Sequence, residues 1–229
     1  QRLAVSMTSA IQYQGRKARR TGSEQRRQAI LEASLSIIVR EGIRAVRHRA
    51  VAREAEVPLS ATTYYFKDIS DLIADTFTLF AERAMKEVIE PFKEQAFGLM
   101  SQFSRDSLEN PQERDRLVKM LAQMMAAFIV DELQNRRDHV VAEQAFIQEA
   151  ILDARLRELA DMYLRQHVET LTMACELFGC KEPKLDAELI FATFLTIEQR
   201  LLVHPEKISQ EFVEKRMYNM LDKVVPLHA

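Results

Sequence analysis

The sequence predicts an all-α protein of about nine to ten helices, and three observations support this fold class. Apolar residues recur at helical spacing along most of the chain, and no stretch shows the apolar-polar alternation of a half-buried strand. The 229 residues include only five glycines and six prolines, which are few turn formers for a fold of many short elements. Most of them fall between periodic segments, so short connections are expected.

The first three predicted helices form a helix-turn-helix arrangement. Gly42 follows the first helix as a candidate C-cap. Val57-Pro58 ends a short second helix, and because proline is favoured at the first position of a helix, a third short helix is expected to follow. The predicted ranges are 24–41, 47–55 and 58–65.

The rest of the chain is predicted to be helical as well. Asp68 is a good N-cap for a long amphipathic fourth helix, which Pro91 ends or kinks. Later breaks fall at turns that contain proline. The predicted ranges are 68–90, 92–107, 112–134, 138–151, 153–179, 185–203 and 207–223.

Charge is distributed unevenly along the chain. Residues 1–67 hold 13 Lys and Arg against 5 Asp and Glu, a net charge of +8. Residues 68–229 hold 19 against 29, a net charge of −10. A basic N-terminal part on an acidic remainder predicts that the first part meets a polyanion. The alternative is chance clustering of charges on a solvated face.

The sequence lacks the motifs of common catalytic and metal sites. It contains no P-loop, G-x-S-x-G, G-x-G-x-x-G or H-E-x-x-H motif, and its five histidines are scattered. Two cysteines, Cys175 and Cys180, are too few for a disulfide framework, which favours a reducing cytosol. No apolar run is long enough for a membrane span, and no signal peptide is evident. We therefore predict a cytoplasmic protein that is not an enzyme and has no metal or cofactor.

The stretch "AVAREAEVPLSATTYYF" (50–66) carries the side chains expected of a DNA-reading helix. Short residues let the backbone approach base edges in the major groove, and hydroxyl groups bond bases or phosphates. Tyr64 and Tyr65 are suited to phosphate oxygens, whereas Phe66 is expected in the core. In the alternative interpretation all three aromatic residues are core residues. Adjacent helical residues point about 100° apart, however, so at least one tyrosine should face outward.

Residues 24–72 resemble the DNA-binding domain of the tetracycline-repressor (TetR) family. The similarity lies in "AEVPLSATTYYF" followed by "KDISDL", and in a helical remainder of similar size. Glu56 departs from the family pattern, which has a glycine in that turn, and Ile69 stands where a phosphate-binding lysine is common. By position, the resemblance implies DNA contacts for Arg47, Arg49, Leu59, Ser60, Ala61, Thr63, Tyr64, Tyr65 and Lys67.

The resemblance and the charge pattern together predict three parts of the chain. Residues 1–22 are a flexible basic arm, of which residues 1–6, before Met7, are expected to be a cloning remnant. Residues 23–67 form the helix-turn-helix domain, and residues 68–229 form a helical ligand-binding and dimerisation domain. The cations of the arm either contact the minor groove or flanking phosphates, or belong to a solvated tail. They are Arg16, Lys17, Arg19 and Arg20.

Dimerisation and a ligand pocket are further implications of the resemblance. A homodimer is expected to pair through about residues 185–223 and to read a palindromic operator on double-stranded DNA. A small-molecule effector is expected to bind among helices four to eight. Met120, Met124 and Phe128 share an apolar helical stripe and are the candidate ligand-binding residues, which favours an apolar or amphipathic effector. The alternative for this stripe is ordinary core packing.

These observations predict a ligand-responsive, sequence-specific transcriptional regulator, most simply a repressor that its effector releases from the operator. One open alternative is an all-helical binding protein or enzyme with an incidental basic segment. Another is a constitutive DNA-binding protein without a ligand. Salt-dependent binding to duplex DNA separates the regulator from the first alternative, and a ligand in the helical domain separates it from the second.

Overall fold

The structure, a computed structural model, describes residues 13–15 and 21–226. Within these residues the chain forms ten α-helices and no strand, so the predicted all-α fold class is confirmed. The α-helices are α1 (Thr21–Glu41), α2 (His48–Glu54), α3 (Leu59–Tyr65), α4 (Ile69–Ala84), α5 (Glu90–Met100), α6 (Pro111–Asn135), α7 (Arg137–Leu152), α8 (Ala154–Phe178), α9 (Pro183–Val203) and α10 (Gln210–Val224). Short 3₁₀ turns lie at Ile43–Ala45, Asp106–Glu109 and Pro205–Lys207, and a π-helical segment lies at Met85–Ile89.

The largest difference from the predicted helix ends is at α5, which ends at Met100 rather than near residue 107. The N–H groups of Gln102 and Phe103 donate to carbonyl oxygens three residues back, those of Leu99 and Met100. Bonds of this span tighten the last turn of a helix and end it. The apolar spacing of the sequence continues past this point and gives no sign of the stop.

The described helices divide into two compact units. The first comprises the residues up to Ala84 together with Val141–Asp161, and the second comprises Met85–Val140 and the residues from Met162 onward. The first unit includes α4, which the sequence predicts to be part of the ligand-binding domain. No described helix is both long enough and apolar enough to cross a lipid bilayer.

Helices α1 and α4 supply much of the core of the first unit. α1 buries an apolar face at helical spacing, as its periodicity predicts. Ser34 Oγ and Thr76 Oγ1 are fully buried and lie 2.9 Å apart, so each hydroxyl has a partner on the facing helix. Phe77 of α4 stacks on Phe146 of α7, with the ring centroids 4.4 Å apart. α2 packs directly against α1.

The second unit is built around α6, which packs along α10. Arg114, near the start of α6, is only 6% exposed, and its guanidinium group binds the end of α10. Nη1 lies 2.6 Å from Asp222 Oδ1, and Nη2 donates to the carbonyl oxygens of Asp222 and Val225 at 2.5 and 2.7 Å. Carbonyl groups at a helix C-terminus lack partners within the helix. Arg114 therefore caps α10 and joins it to α6.

Arg114→Lys is expected to destabilise the protein by about 2 kcal/mol, because an ammonium group cannot replace a planar fork that makes three fixed contacts. Arg116 is exposed and pairs with Glu113, so Arg116→Lys serves as the control and should cost less than about 0.5 kcal/mol. Thermal and urea unfolding, followed by circular dichroism, measures both changes. Equal losses of stability in the two variants would contradict the capping role.

Candidate nucleic-acid interface

The turn between α2 and α3 is closed by hydrogen bonds to the end of α2. The Glu56 N–H donates to Arg53 O at 3.2 Å, and the Val57 N–H donates to Ala52 O at 3.0 Å. This pair of bonds is a Schellman motif, which places its turn residue in the left-handed region. That residue is Glu56, with φ of +53°, and among the described residues no other non-glycine residue has a positive φ. The chain thus keeps a turn that favours glycine at a position occupied by glutamate.

α3 begins after this turn, and its buried face fixes its orientation. Pro58, with φ of −60°, is the N-cap, and its carbonyl oxygen accepts the Ala61 N–H. Ala61 and Thr62 face inward, and the Thr62 hydroxyl donates to Leu59 O at 2.8 Å. Phe66, directly after the helix, is fully buried. Phe66 therefore ties the end of α3 to the core, as the sequence predicts.

The structure corrects two of the DNA contacts that were assigned by resemblance. Tyr65 and Ala61 were both expected on the face toward DNA, and both are buried. Tyr65 is 5% exposed, and its hydroxyl lies 2.5 Å from Ser23 Oγ in the first turn of α1. Ala61 is buried on the same side of α3. Because adjacent helical residues diverge, burial of Tyr65 beside Phe66 turns Tyr64 outward. Tyr65 holds α3 against α1 and does not face solvent.

The outward face of α3 is small and polar between two larger residues. Leu59 at its start is 42% exposed, and Tyr64 near its end is 52% exposed. Ser60 and Thr63 are exposed between them, and the Thr63 hydroxyl donates to Ser60 O at 3.2 Å. Short side chains let a helix backbone approach base edges closely. The short and polar side chains of this face suit a major groove.

Exposed cations lie on the elements that flank α3. Arg47 and Arg49 at the start of α2 and Lys67 after α3 are exposed, and so are Arg44 and Arg53. None of these five side chains forms an ion pair with a residue that the structure describes. Their charge is therefore available to an external anion such as a phosphate.

Arg44 and Arg53 are not predicted as DNA contacts from the sequence. For Arg53 the available signal is spacing, since it lies four residues after Arg49 and shares its face of α2. Arg44 lies in the 3₁₀ turn before α2, where no periodicity points to it. The predicted contacts of the basic arm lie outside the described residues: Arg16, Lys17, Arg19 and Arg20.

Asp68 and Ile69 form the start of α4, next to the end of α3 in the chain. Asp68 Oδ1 accepts the Ser70 N–H at 2.9 Å, so Asp68 is the predicted N-cap. This bond, with Arg155 nearby, holds the pKa of the Asp68 carboxyl below its usual value. Ile69 is partly buried, and its side chain offers phosphate no donor. Lys67 is the exposed cation at this end of the interface.

The second unit contains an apolar cavity of about 440 Å³, a volume within the range of small-molecule sites. None of the predicted ligand-binding residues, Met120, Met124 and Phe128, lines it. Met124 is buried in the core, and Phe128 packs edge to face on Phe92, with the centroids 5.0 Å apart. These contacts favour the core-packing interpretation of that stripe. The lining residues are Phe97, Met100, Ser101, Phe103, Arg105, Leu108, Leu117, Leu177 and Phe178.

Several solved structures share this architecture, although no protein-family model and no curated protein matches the chain. A TetR-family member from Streptomyces coelicolor A3 is 21% identical, with 88% of this chain and 99% of that chain covered and a TM-score of 0.57. A transcriptional regulator from Rhodococcus sp. Rha1 is 17% identical over 86% and 95% of the two chains, with a TM-score of 0.59. The multidrug binding protein EbrR, solved with ethidium, is 21% identical over 86% and 98%, with a TM-score of 0.58.

These similarities decide the fold. The chain has the TetR fold. The resemblance in sequence covers residues 24–72, and the structural similarity extends the TetR fold over most of the chain. At these identities the similarity shows the fold and not the roles of individual side chains. Glu56 and Ile69 remain the departures of this chain from the sequence pattern that accompanies the TetR fold.

Glu56→Gly is expected to stabilise the protein by about 1 kcal/mol, because glycine removes the cost of a left-handed backbone. Ala55→Gly, at the preceding position with φ of −80°, is the matched control and should destabilise by about 0.5–1 kcal/mol through chain entropy. Shifts of the thermal unfolding midpoint measure both changes. A loss of stability in Glu56→Gly would show that its carboxylate contributes more than the backbone strain costs.

Proposed function

We propose that this protein is a sequence-specific DNA-binding transcriptional regulator, a dimeric repressor that a small effector releases from its operator. The observation that carries the proposal is the exposed, small and polar face of α3, flanked by cations that have no carboxylate partner among the residues that the structure describes. The neighbours in fold include a TetR-family member and a transcriptional regulator, which supports the same class of function. The sequence supplies no catalytic motif that favours an enzyme instead.

In the proposed complex, α3 lies in the major groove and α2 lies across the adjacent backbone. Ser60 and Thr63 face base edges, and Leu59 makes an apolar contact of the kind that recognises a thymine methyl group. Contacts to phosphate position the domain but carry no sequence information directly. The proposed phosphate contacts are Arg47, Arg49, Tyr64 and Lys67.

Arg49→Ala is expected to weaken binding to duplex DNA by roughly fivefold to tenfold, because one phosphate contact is lost. The slope of log K against log salt should fall by about 0.9. Arg137→Ala, exposed at the start of α7, is the control and should change neither quantity. Anisotropy titrations of a labelled duplex at several salt concentrations measure both. Wild-type protein that bound duplex DNA without salt dependence would contradict the proposed function.

The proposed dimer pairs through residues 185–223, which include most of α9 and of α10. Leu185 and Leu189 lie four residues apart on one face of α9 and are 54% and 59% exposed. Adjacent exposed leucines on a helix are typical of a surface that a partner covers. A two-fold dimer presents two α3 helices to two half-sites, which explains the expectation of a palindromic operator.

The double substitution Leu185→Lys and Leu189→Lys is expected to leave a monomer at micromolar concentration, because paired leucines become like charges across the two-fold axis. Leu152→Lys is the control, since Leu152 on α7 is also highly exposed and lies outside the proposed interface. Sedimentation velocity measures the mass of each variant. A dimer that persists in the double variant would place the interface elsewhere.

The proposed effector is a small apolar or amphipathic molecule that binds the cavity of the second unit. Its lining is mainly aromatic and aliphatic, and Arg105 is the charged residue among the described residues that line it. EbrR, a neighbour in fold, has been solved with proflavin and with ethidium, which supports a site for molecules of this size. An effector releases DNA only if it binds the DNA-free state more tightly than the DNA-bound state.

The probe 8-anilinonaphthalene-1-sulfonate is expected to bind this cavity, because its rings suit the apolar lining and its sulfonate suits Arg105. Ser101→Trp, at an exposed position of the lining, should reduce the probe fluorescence severalfold. Gln102→Trp, at the next position and outside the lining, should not. Equal probe binding by the two variants would show that the probe occupies another site.

A further inference from the structure

The last turn of α8 ends in a Schellman motif that brings two cysteines together. The Cys180 N–H donates to Cys175 O at 3.0 Å, and the Gly179 N–H donates to Glu176 O at 3.0 Å. Gly179, with φ of +74°, is the left-handed residue that this motif favours. A side-chain contact between the two residues joined by the longer of these bonds frequently accompanies the motif. Here both of those residues carry thiols, because the turn reads Cys-Glu-Leu-Phe-Gly-Cys.

The two thiols form a short chain of hydrogen bonds. The Cys175 thiol donates to the sulfur of Cys180, and Cys180 Sγ donates in turn to the carbonyl oxygen of Val224 in α10 at 3.6 Å. Cys175 is fully buried, whereas Cys180 is 8% exposed. Both cysteines are free thiols. Their sulfur atoms are therefore neighbours that no covalent bond joins.

The hydrogen bond between the thiols makes the pair asymmetric. It holds the pKa of the Cys180 thiol below its usual value, because it stabilises the thiolate. The same bond and burial raise the pKa of the Cys175 thiol. The thiolate, and not the thiol, is the nucleophile in cysteine chemistry. Cys180 is therefore the attacking sulfur of the pair, and Cys175 is placed to react with it afterwards.

We propose that Cys175 and Cys180 form a redox site, at which hydrogen peroxide converts the two thiols into a disulfide. In the first step the Cys180 thiolate attacks one peroxide oxygen and the O–O bond breaks. Cys180 becomes a sulfenic acid, and the hydroxide ion that leaves takes up the proton of the Cys180 thiol to give water. The sulfur of Cys180 is oxidised by two electrons, and the peroxide is reduced.

The second step joins the two cysteines. The Cys175 sulfur attacks the Cys180 sulfur, so that an S–S bond forms and the S–O bond of the sulfenic acid breaks. The hydroxide that leaves takes the proton of the Cys175 thiol and becomes a second water molecule. A disulfide of this kind is compatible with the predicted reducing cytosol, where disulfides are usually transient and redox-sensing.

The disulfide acts on the wall of the apolar cavity. Leu177 and Phe178, which line the cavity, lie between the two cysteines in the chain. Oxidation closes the last turn of α8 covalently and removes the S–H group that Cys180 donates to Val224 O. The inference goes beyond the proposed function, because it makes this wall responsive to an oxidant as well as to a ligand, and no step of it depends on DNA binding.

The test treats the reduced full chain with hydrogen peroxide under native conditions and then labels the remaining thiols with N-ethylmaleimide. Intact-mass spectrometry should show an unlabelled product about 2 Da lighter than the dithiol, and peptide mapping should place the bond between positions 175 and 180. A disulfide that forms only in denaturant, or only between two chains, would overturn the redox site.

Three variants separate the roles of the two sulfurs. In Cys175→Ser, which keeps a hydroxyl donor, Cys180 should stop at the sulfenic acid and react with dimedone. In Cys175→Ala, which lacks the donor, this acid should form roughly fivefold more slowly. Cys180→Ser should react at least about tenfold more slowly than Cys175→Ser, because only the buried thiol remains. Equal rates in Cys175→Ser and Cys175→Ala would overturn the activation of Cys180 by Cys175.

Hydrogen exchange measured by NMR tests the effect on the end of α8. The amides of Gly179 and Cys180 should exchange roughly fivefold more slowly in the oxidised protein than in the reduced protein, because the covalent closure opposes fraying. Unchanged exchange would show that the disulfide does not constrain the cavity wall. Either failure leaves the proposed function standing, and a failure of duplex binding leaves the redox site standing, so the two are distinguishable.

Discussion

The burial of two neighbouring residues, Tyr65 and Phe66, is the constraint on which the interface depends. Phe66 is fully buried, and Tyr65 is fixed by its hydrogen bond to Ser23. On a helix as short as α3, fixing one end sets the direction of every other side chain, because consecutive residues diverge by about 100°. Tyr64 and Thr63 therefore face outward. A reading surface that is set in advance in this way loses little entropy on binding.

The other end of α3 is fixed by backbone geometry rather than by side-chain burial. The Schellman motif that ends α2 sets the angle at which the chain enters α3, and it does so with a left-handed residue at position 56. A left-handed non-glycine residue costs about 1–2 kcal/mol, which the packing of the two helices offsets. The exposed side chain at this position adds a carboxylate to the turn that leads into α3. In the proposed DNA complex, the negative charge of Glu56 would weaken the attraction for phosphate and leave base contacts a larger share of the affinity.

The helices were predictable from the sequence because their signals are local. Proline, glycine and the capping residue Asp68 mark ends that depend on the nearest few residues, and most observed ends lie close to them. The early stop of α5 depends on hydrogen bonds that apolar spacing does not encode. The burial of Tyr65 could not be predicted from neighbouring residues, because its partner Ser23 lies more than 40 residues away in the chain. Asp75, which is buried in α4, shows the same limit, since its hydrogen-bond donors lie about 50–60 residues away and its own neighbours in sequence predict only an amphipathic helix.

The uneven charge of the chain favours one orientation of the protein toward a polyanion. Residues 1–67 carry +8 and residues 68–229 carry −10, so a polyanion is attracted to the first part and repelled by most of the second. Charges that face solvent act over about 10 Å at ordinary ionic strength, so this contrast favours correct orientation in the last stage of an encounter more than long-range capture. Asp75 belongs to the acidic segment by sequence, yet it is buried, ion-paired with Arg27 and hydrogen bonded to two backbone N–H groups. The buried carboxylate therefore binds residues 14 and 15. It adds no negative charge to the surface that would repel DNA.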